Sequence, residues 1–452
     1  MTMNILSLMT LRRWAKAAVL TVPVLVAQAM VPALQPYSDG ALVGVVQAQE
    51  QAEAKKEKKK TKRTQAMNNK TYEKLQLAQE AVEAKNIPEA IAILDELKNN
   101  TRRPPNDAEL ANILNMYAFI YYSKEDYKNA LESYKQIIPL PLAPEGTIVQ
   151  ARYSVAQLYF VMEKYREGID ALLEWFKVTA APTASAYVML AQGYYQIKDN
   201  DNALKNIEVA ITMYKEKDKV PKEQWYGLQY FLYYDKKEIK KTVEILSEMI
   251  VHYPKKQYWM QLSGMYADLG NEARQTGSLE AAYVQGMLEK EKELINMASL
   301  YLMSDVPYKA AKVLDKGIDA EFIDATSKNL DLLGMSWRQA QEIKKAIPEM
   351  AKAAAKSDVG DLWARLCNVY LDNDQFKKAI DACDKGLKKG GVKREDQAHL
   401  VKGMAHYELK QYKSARSEFI KAGKDKRTAK MAKQWSTFMA KELERQKSLE
   451  ST

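Results

Sequence analysis

Few residues of this sequence are of the types that carry out chemistry. Its 452 residues include three histidines, His252, His399 and His406, and two cysteines, Cys367 and Cys383. His399 and His406 are seven positions apart, too far for a metal-binding pair at i and i+4 of one helix, and His252 is distant from both. The sequence contains no Cys-x-x-Cys motif, no phosphate-binding glycine loop and no recognisable Ser/His/Asp set. We therefore expect no metal, no cofactor and no enzymatic activity.

The elements that would have to position such residues are short amphipathic helices. The stretch 361–387 predicts two of them, because apolar residues recur there at i, i+3, i+4 and i+7 on either side of a polar turn. Small residues occupy the places where two antiparallel helices must approach closely, since bulky side chains would push the pair apart. The spacing from Trp363 to Tyr370, followed by Ala379 in the second helix, resembles the tetratricopeptide repeat (TPR), whose period is about 34 residues.

The same pattern recurs through most of the chain. Ten copies start near Thr71, Ala111, Val149, Ala184, Glu223, Lys256, Glu291, Ser327, Gly360 and Asp396. The small position of the first helix is occupied by Ala78, Ala118, Ala156, Ala191, Ser263, Ala298, Gly334, Cys367 and Gly403, with Tyr230 as the exception. The matching position of the second helix is occupied by Ala90, Ala130, Gly168, Ala203, Thr242, Ala310, Ala346, Ala379 and Ala415.

This recurrence predicts an all-α fold, a right-handed α-solenoid of about ten TPR helix-turn-helix repeats with a C-terminal capping helix. We expect repeats 1–5 at residues 71–254, repeats 6–10 at residues 255–426, and the capping helix and tail at residues 427–452. A fold of this kind carries no chemistry by itself, so function must be argued from its surfaces.

The sixth copy departs from the pattern. Its first helix matches around Trp259, but its second helix has no clean match and is expected to run late, with a shifted register through Ala281 and Ala282. A distorted repeat is a candidate bend in the array, and drift without consequence is the alternative.

The repeat template places Cys367 and Cys383 at facing positions of the two helices in the ninth copy. Fifteen residues lie between them. In an oxidising compartment such a pair can form a disulfide, which stabilises by about 3 kcal/mol for a loop of this size. The alternative is that both are the small apolar residues that this packing requires.

The N-terminus predicts an export signal at residues 1–48. Arg12, Arg13 and Lys16 precede an uncharged run that two prolines interrupt, which makes a poor spanning helix. Small residues suit cleavage after Ala48, with cleavage after Ala29 or an uncleaved anchor as alternatives. We expect a cleaved signal peptide and a periplasmic protein.

A lysine-rich leader follows at residues 49–70. The formal net charge of the chain is +10, and residues 49–66 contribute +4 of it, from seven Lys or Arg within residues 55–63 against three glutamates. This polar segment cannot bury enough surface to offset the cost of ordering, so we expect it to be disordered. It is either a solvated linker or a contact of residues 55–63 with an anionic membrane surface or acidic partner. Nucleic-acid binding is not expected, because no recognition motif is present.

Repeats two to five are rich in tyrosine, and aromatic pairs recur near the end of each first helix. The first member of each pair occupies a core position, whereas the second is expected on the concave side, where aromatic and amide side chains could hold a protein or peptide partner. The alternative is that these tyrosines only pack against their neighbours. The candidate groove residues are Asn115, Phe119, Tyr122, Tyr153, Gln157, Phe160, Gln192, Tyr195, Phe231 and Tyr234.

The sequence as a whole is similar to the periplasmic TPR proteins that accompany TonB–ExbB–ExbD energy-transduction systems. The resemblance lies in the export signal, the leader QEQAEAKKEKKK, the stretch NKTYEKLQLAQEAVEAKNIPEAIAILDEL and the tyrosine-rich repeats. It implies a scaffold that accompanies TonB-dependent transport and binds a TonB-like protein or its receptor, and it assigns no functional residues. The alternative function is an adaptor for envelope assembly, in outer-membrane protein insertion, polysaccharide export or peptidoglycan synthesis.

Overall fold

The structure is a computed structural model that describes residues 65–450, with side chains as far as Arg445. The predicted signal peptide, the leader up to residue 64 and the last two residues lie outside the described residues. Within the described part the regular elements are 21 α-helices, without a β-strand. They are α1 Asn69–Glu83, α2 Ile87–Lys98, α3 Asp107–Ser123, α4 Tyr127–Ile137, α5 Glu145–Val161, α6 Tyr165–Val178, α7 Ala184–Gln196, α8 Asn200–Lys215, α9 Glu223–Asp235, α10 Ile239–His252, α11 Lys256–Asp268, α12 Glu272–Val284, α13 Glu291–Met303, α14 Pro307–Asp319, α15 Ser327–Gln339, α16 Ile343–Lys356, α17 Asp361–Asp372, α18 Phe376–Lys389, α19 Glu395–Glu408, α20 Tyr412–Ala422 and α21 Lys426–Glu450.

Helices α1 to α20 pair in order as ten antiparallel hairpins. The chain divides into two compact units, one ending at Tyr253 and the other beginning at Pro254. The first unit contains hairpins one to five, and the second contains hairpins six to ten and helix α21. Within each unit a hairpin packs against its sequence neighbours, as expected for repeats that bury their apolar faces only by stacking. The prediction of an all-α solenoid is therefore confirmed.

Each hairpin turns through one residue in the left-handed region. These residues follow each other at intervals from 33 positions (Lys237 to Gly270) to 40 positions (Lys85 to Glu125). The next backbone N–H then donates to the carbonyl five residues earlier, as from Lys164 to Tyr159 at 2.8 Å, which closes the end of the first helix. The ten residues provide a structural register for the repeats, and they are Lys85, Glu125, Glu163, Lys198, Lys237, Gly270, Asp305, Gln341, Asp374 and Lys410.

The small residues of the repeat template lie buried where the two helices of each hairpin meet. Ala118 and Ala130 of the second hairpin are both fully buried. Where glycine stands in the template, a larger neighbour fills its space: a Cβ added to Gly403 would lie 2.6 Å from the ring of Phe419. The close approach that the sequence pattern indicates is thus present in the packed hairpins.

The prediction for the sixth hairpin was wrong. Helix α12 begins at Glu272, four residues after α11 ends, which is the spacing seen between α13 and α14. The side chain of Asn271 accepts a hydrogen bond from the N–H of Arg274 at 3.1 Å and so fixes this early start. Gln275 occupies the small position, and its carbonyl accepts a hydrogen bond from the hydroxyl of Ser263 at 2.9 Å. A polar contact replaces the small residue without shifting the register.

The predicted disordered leader ends earlier than expected, because residues 65–68 are held in place. The backbone N–H of Asn68 donates to Glu109 at 3.0 Å, and the side chain of Asn106 donates to the carbonyl of Ala66 at 3.0 Å. Asn68 also caps helix α1, which starts at Asn69. Sequence composition alone misses this segment, because its partners lie about 40 residues away.

A disulfide and a packed C-terminal helix complete the second unit. Cys367 on α17 and Cys383 on α18 form a disulfide with a Cα–Cα distance of 5.2 Å inside the ninth hairpin. Helix α21 packs against both helices of the tenth hairpin, with Trp435 stacked on Phe419 at 6.0 Å between ring centroids and Met439 buried. The final helix thereby covers the apolar face that the tenth hairpin would otherwise expose.

Candidate partner-binding surface

The first helices of hairpins two to five carry the candidate groove residues on one face. Counted back from the left-handed residue of each hairpin, this face consists of the positions 13, 10, 6, 3 and 2 residues earlier. We call the 20 residues at these positions the first-helix row. They are Asn112, Asn115, Phe119, Tyr122 and Ser123 on α3, Gln150, Tyr153, Gln157, Phe160 and Val161 on α5, Ser185, Val188, Gln192, Tyr195 and Gln196 on α7, and Gln224, Gly227, Phe231, Tyr234 and Asp235 on α9.

Aromatic side chains on this row remain open to solvent. Phe119 is 44% exposed and Tyr122 is 37% exposed, so part of each ring's surface is free of packing contacts within the chain. Tyr122 nevertheless contacts Tyr127 edge-on at 5.6 Å between centroids, and burial, together with Tyr127, raises the pKa of its hydroxyl. The amide residues Asn115 and Gln192 are exposed as well. An open aromatic surface with amide neighbours is suited to contact with another molecule.

The row is continuous between the fourth and fifth hairpins. The rings of Tyr195 on α7 and Phe231 on α9 meet edge to face, with their centroids 5.5 Å apart. Tyr234 stacks on Tyr230 one turn earlier in α9, at 6.1 Å. Tyr195, Phe231 and Tyr234 are each half-buried, so they support one another and still present part of their surface.

Two further candidate residues, Tyr153 and Gln157, are half-buried on α5. The ring of Tyr153 lies 4.8 Å from Trp175 of α6, so much of its surface is used for packing within the third hairpin. This part of the row is therefore less open than the part on α3.

The prediction that Phe160 lines the groove was wrong. Its side chain is only 5% exposed and belongs to the apolar cluster of the third and fourth hairpins. The ring lies over Gly168 and Gly193, where an added Cβ would lie 3.0 Å and 2.5 Å away. The missing side chains of these two glycines create the space that accepts Phe160. The signal in the sequence was Gly168 itself, at a position where most other repeats have alanine.

Hydrogen bonds that the sequence did not predict hold the first helices in position. Tyrosine hydroxyls on first helices donate to carboxylates on the second helix of the preceding hairpin: Tyr117 to Asp95 and Tyr233 to Glu208. Burial and the adjacent carboxylate raise the pKa of both tyrosines, so both remain donors at neutral pH. Such bonds fix the angle at which neighbouring hairpins stack, and thereby the spacing of the row.

A buried polar cluster lies in the tenth hairpin. Glu418 accepts from His399 at 2.6 Å and from Lys421 at 2.9 Å, and Lys402 lies 3.3 Å away. Burial raises the pKa of Glu418, but the hydrogen bonds and the positive charge of Lys402 outweigh burial and lower the pKa to about 2. The cluster joins α19 to α20, and we assign it a structural role.

In the described part of the chain, no group of three or more His, Cys, Asp or Glu side chains could hold a metal ion. No helix within residues 65–450 combines the length and apolar character needed to cross a bilayer.

The comparisons with known proteins add little to these observations. No family model and no curated protein matches the chain. Among solved structures, the chain is similar to MamA, at 20% identity and a TM-score of 0.33 over 39% of this chain and 94% of that one. It is also similar to a tetratricopeptide repeat protein from Parabacteroides merdae, at 13% identity and a TM-score of 0.34 over 60% of this chain and 99% of that one. At such values the likeness supports no conclusion about function. The fold assignment rests on the paired helices of the structure itself.

Proposed function

We propose that this chain is a TPR-type interaction scaffold that holds a protein or peptide partner on the first-helix row of hairpins two to five. The observation that carries this proposal is the presence of exposed and half-exposed aromatic rings at repeated positions, above all Phe119, Tyr122, Tyr195 and Phe231. Aromatic residues are enriched at protein interfaces because they bury much area with little loss of side-chain freedom. Stacked hairpins repeat such positions along one surface, which suits an elongated partner.

Site-specific crosslinking in intact cells tests the proposal. A photoreactive amino acid replaces Tyr195 or Tyr234 on the row, and a matched control replaces Lys205, which is exposed on the second helix α8. We expect both row positions to capture the same partner and the control position to capture none. If the row positions capture nothing while the lysine-rich leader does capture a partner, the proposal is wrong.

We further propose that the chain is exported to the periplasm. The support is the predicted signal peptide together with the Cys367–Cys383 disulfide, since structural disulfides are rare in reducing compartments. N-terminal sequencing of the mature protein tests this directly and distinguishes cleavage after Ala48 from cleavage after Ala29. A chain that retains its first residues in the cytoplasmic fraction would contradict export.

The finer proposal is that the scaffold assists TonB-dependent transport across the outer membrane and binds a TonB-like protein. Its support is the sequence resemblance alone, and the alternative is an adaptor for envelope assembly. Neighbouring genes for a proton-driven inner-membrane motor would favour the first, and genes for export or wall synthesis would favour the second. The identity of the partner captured at Tyr195 distinguishes the two functions.

A further inference from the structure

The first-helix row is almost without charge. Three of its 20 residues, Phe160, Val188 and Gly227, are buried. Of the other 17 only Asp235, at the end of α9, carries a charge, and its carboxylate accepts a hydrogen bond from Asn200 at 3.0 Å. Charged residues make up 28% of the chain, so about five would be expected among 17 positions. Helix α7 has no charged residue along its entire length. The exclusion of charge is therefore a property of this face.

The equivalent face of the second unit is different. The same five positions in hairpins six to ten give 25 residues, of which eight are charged: Asp268, Lys292, Lys328, Asp331, Arg338, Asp361, Asp372 and Glu408. Some of these charges pair between neighbouring hairpins, as Arg338 does with Asp372 at 3.2 Å. Lack of charge is thus no general consequence of the repeat, and it distinguishes the surface of the first unit.

A row of this composition selects against charged ligands. A charge on the ligand would lose water on docking without gaining an ionic partner, and burying an unpaired charge is costly. Asn115, Gln157 and Gln192 each offer both a donor and an acceptor, which is the pairing that a peptide group needs. The rings of Phe119 and Phe231 offer apolar contact between these amides.

The row suits an extended chain laid across successive hairpins. It passes from the fourth hairpin to the fifth without a gap, because the rings of Tyr195 and Phe231 meet with their centroids 5.5 Å apart. We propose that the first-helix row binds an uncharged, extended peptide segment that is rich in apolar and amide side chains. This inference rests on the proposed function and adds the chemical class of the partner.

Selection from a display library of randomised twelve-residue peptides against the full chain tests the inference. We expect the enriched peptides to be depleted in Asp, Glu, Lys and Arg. We also expect their affinity to stay within about twofold when NaCl rises from about 0.1 to about 1 M, which shortens the Debye length from about 10 to about 3 Å. Enrichment of charged peptides, or binding that salt abolishes, would overturn the proposal.

Variants of opposite charge give a second readout. Gln192→Lys and Gln192→Glu should both weaken a selected peptide by about tenfold or more, because either charge is buried without a partner. The matched control Lys205→Glu, which changes the charge on α8 outside the row, should leave binding unchanged. If one of the two Gln192 variants binds the selected peptide more tightly, the row accommodates a charge and the inference is wrong.

The remaining outcomes separate the inference from the proposed function. If a neutral oligosaccharide array binds the chain with the same sensitivity to Gln192→Lys and no peptide is enriched, the peptide assignment fails. If crosslinking from Tyr195 captures a partner through a charged segment, the inference fails and the scaffold function stands. If neither peptides nor crosslinked partners are found on the row, the proposed function itself fails.

Discussion

Replacing Phe160 distinguishes a core residue from a groove residue. The ring is 5% exposed and rests on Gly168 and Gly193, which have no side chains with which to fill the space it would vacate. We therefore expect Phe160→Ala to leave a cavity and to lower the free energy of unfolding by about 3–5 kcal/mol. Phe119→Ala, the same substitution at a side chain 44% exposed, should cost less than about 1 kcal/mol.

Urea denaturation followed by circular dichroism and tryptophan fluorescence measures both changes. Trp175, in the same apolar cluster as Phe160, is one of the seven tryptophans that contribute to the fluorescence. Because arrays of repeats need not unfold in one step, the quantity to compare is the midpoint of the transition that Phe160→Ala shifts. Equal, small losses for Phe160→Ala and Phe119→Ala would refute the placement of Phe160 in the core.

Three further predictions concern the rest of the chain. The pKa of Glu418 in the folded chain is lowered from the ordinary 4.5 to about 2. Its stabilisation of the tenth hairpin, on the order of 2 kcal/mol, is therefore present above pH 4.5 and is lost as the pH falls towards 2. Glu418→Gln should remove this pH dependence from acid-unfolding curves. Replacing both cysteines of the ninth hairpin by alanine should lower the free energy of unfolding by about 3 kcal/mol, and thiol titration of the unfolded, unreduced parent chain should find no free thiol. Lys198→Gly should stabilise by about 0.5–1 kcal/mol, because Lys198 holds a left-handed backbone (φ 63°), whereas Gly270→Ala (φ 68°) should destabilise by about 1 kcal/mol. A destabilising Lys198→Gly or a stabilising Gly270→Ala in thermal unfolding would contradict the register of the turns.

The repeat pattern predicted the fold because its information is local. Small residues such as Ala118 and Ala130 mark the closest approach within one hairpin, and the pattern that contains them recurs ten times. The turn residues were harder to recognise, because nine of the ten are not glycine. Their left-handed conformation follows from the hydrogen bonds that end the first helix, and those bonds leave no mark on residue type.

The candidate surface was predictable only in part. Phe119 and Tyr122 lie exposed on the row, as helical phase alone indicates. Phe160 has the same phase, but its burial depends on glycines in two other helices, α6 and α7. Likewise, the ordering of residues 65–68 depends on partners in the second hairpin. In these cases contacts between repeats decide whether a residue is buried or ordered, and the periodicity of a single helix carries no information about such contacts.

The most direct test of the central claim is the affinity of the crosslinked partner for a chain carrying Tyr195→Ala and Phe231→Ala together. These two rings contact each other on the row, and truncating an aromatic residue that is a hot spot of an interface costs about 2 kcal/mol or more. We predict a loss of affinity of at least about tenfold, with no loss when Lys205 on α8 is replaced by alanine. An unchanged affinity in the double variant would show that the partner is held elsewhere.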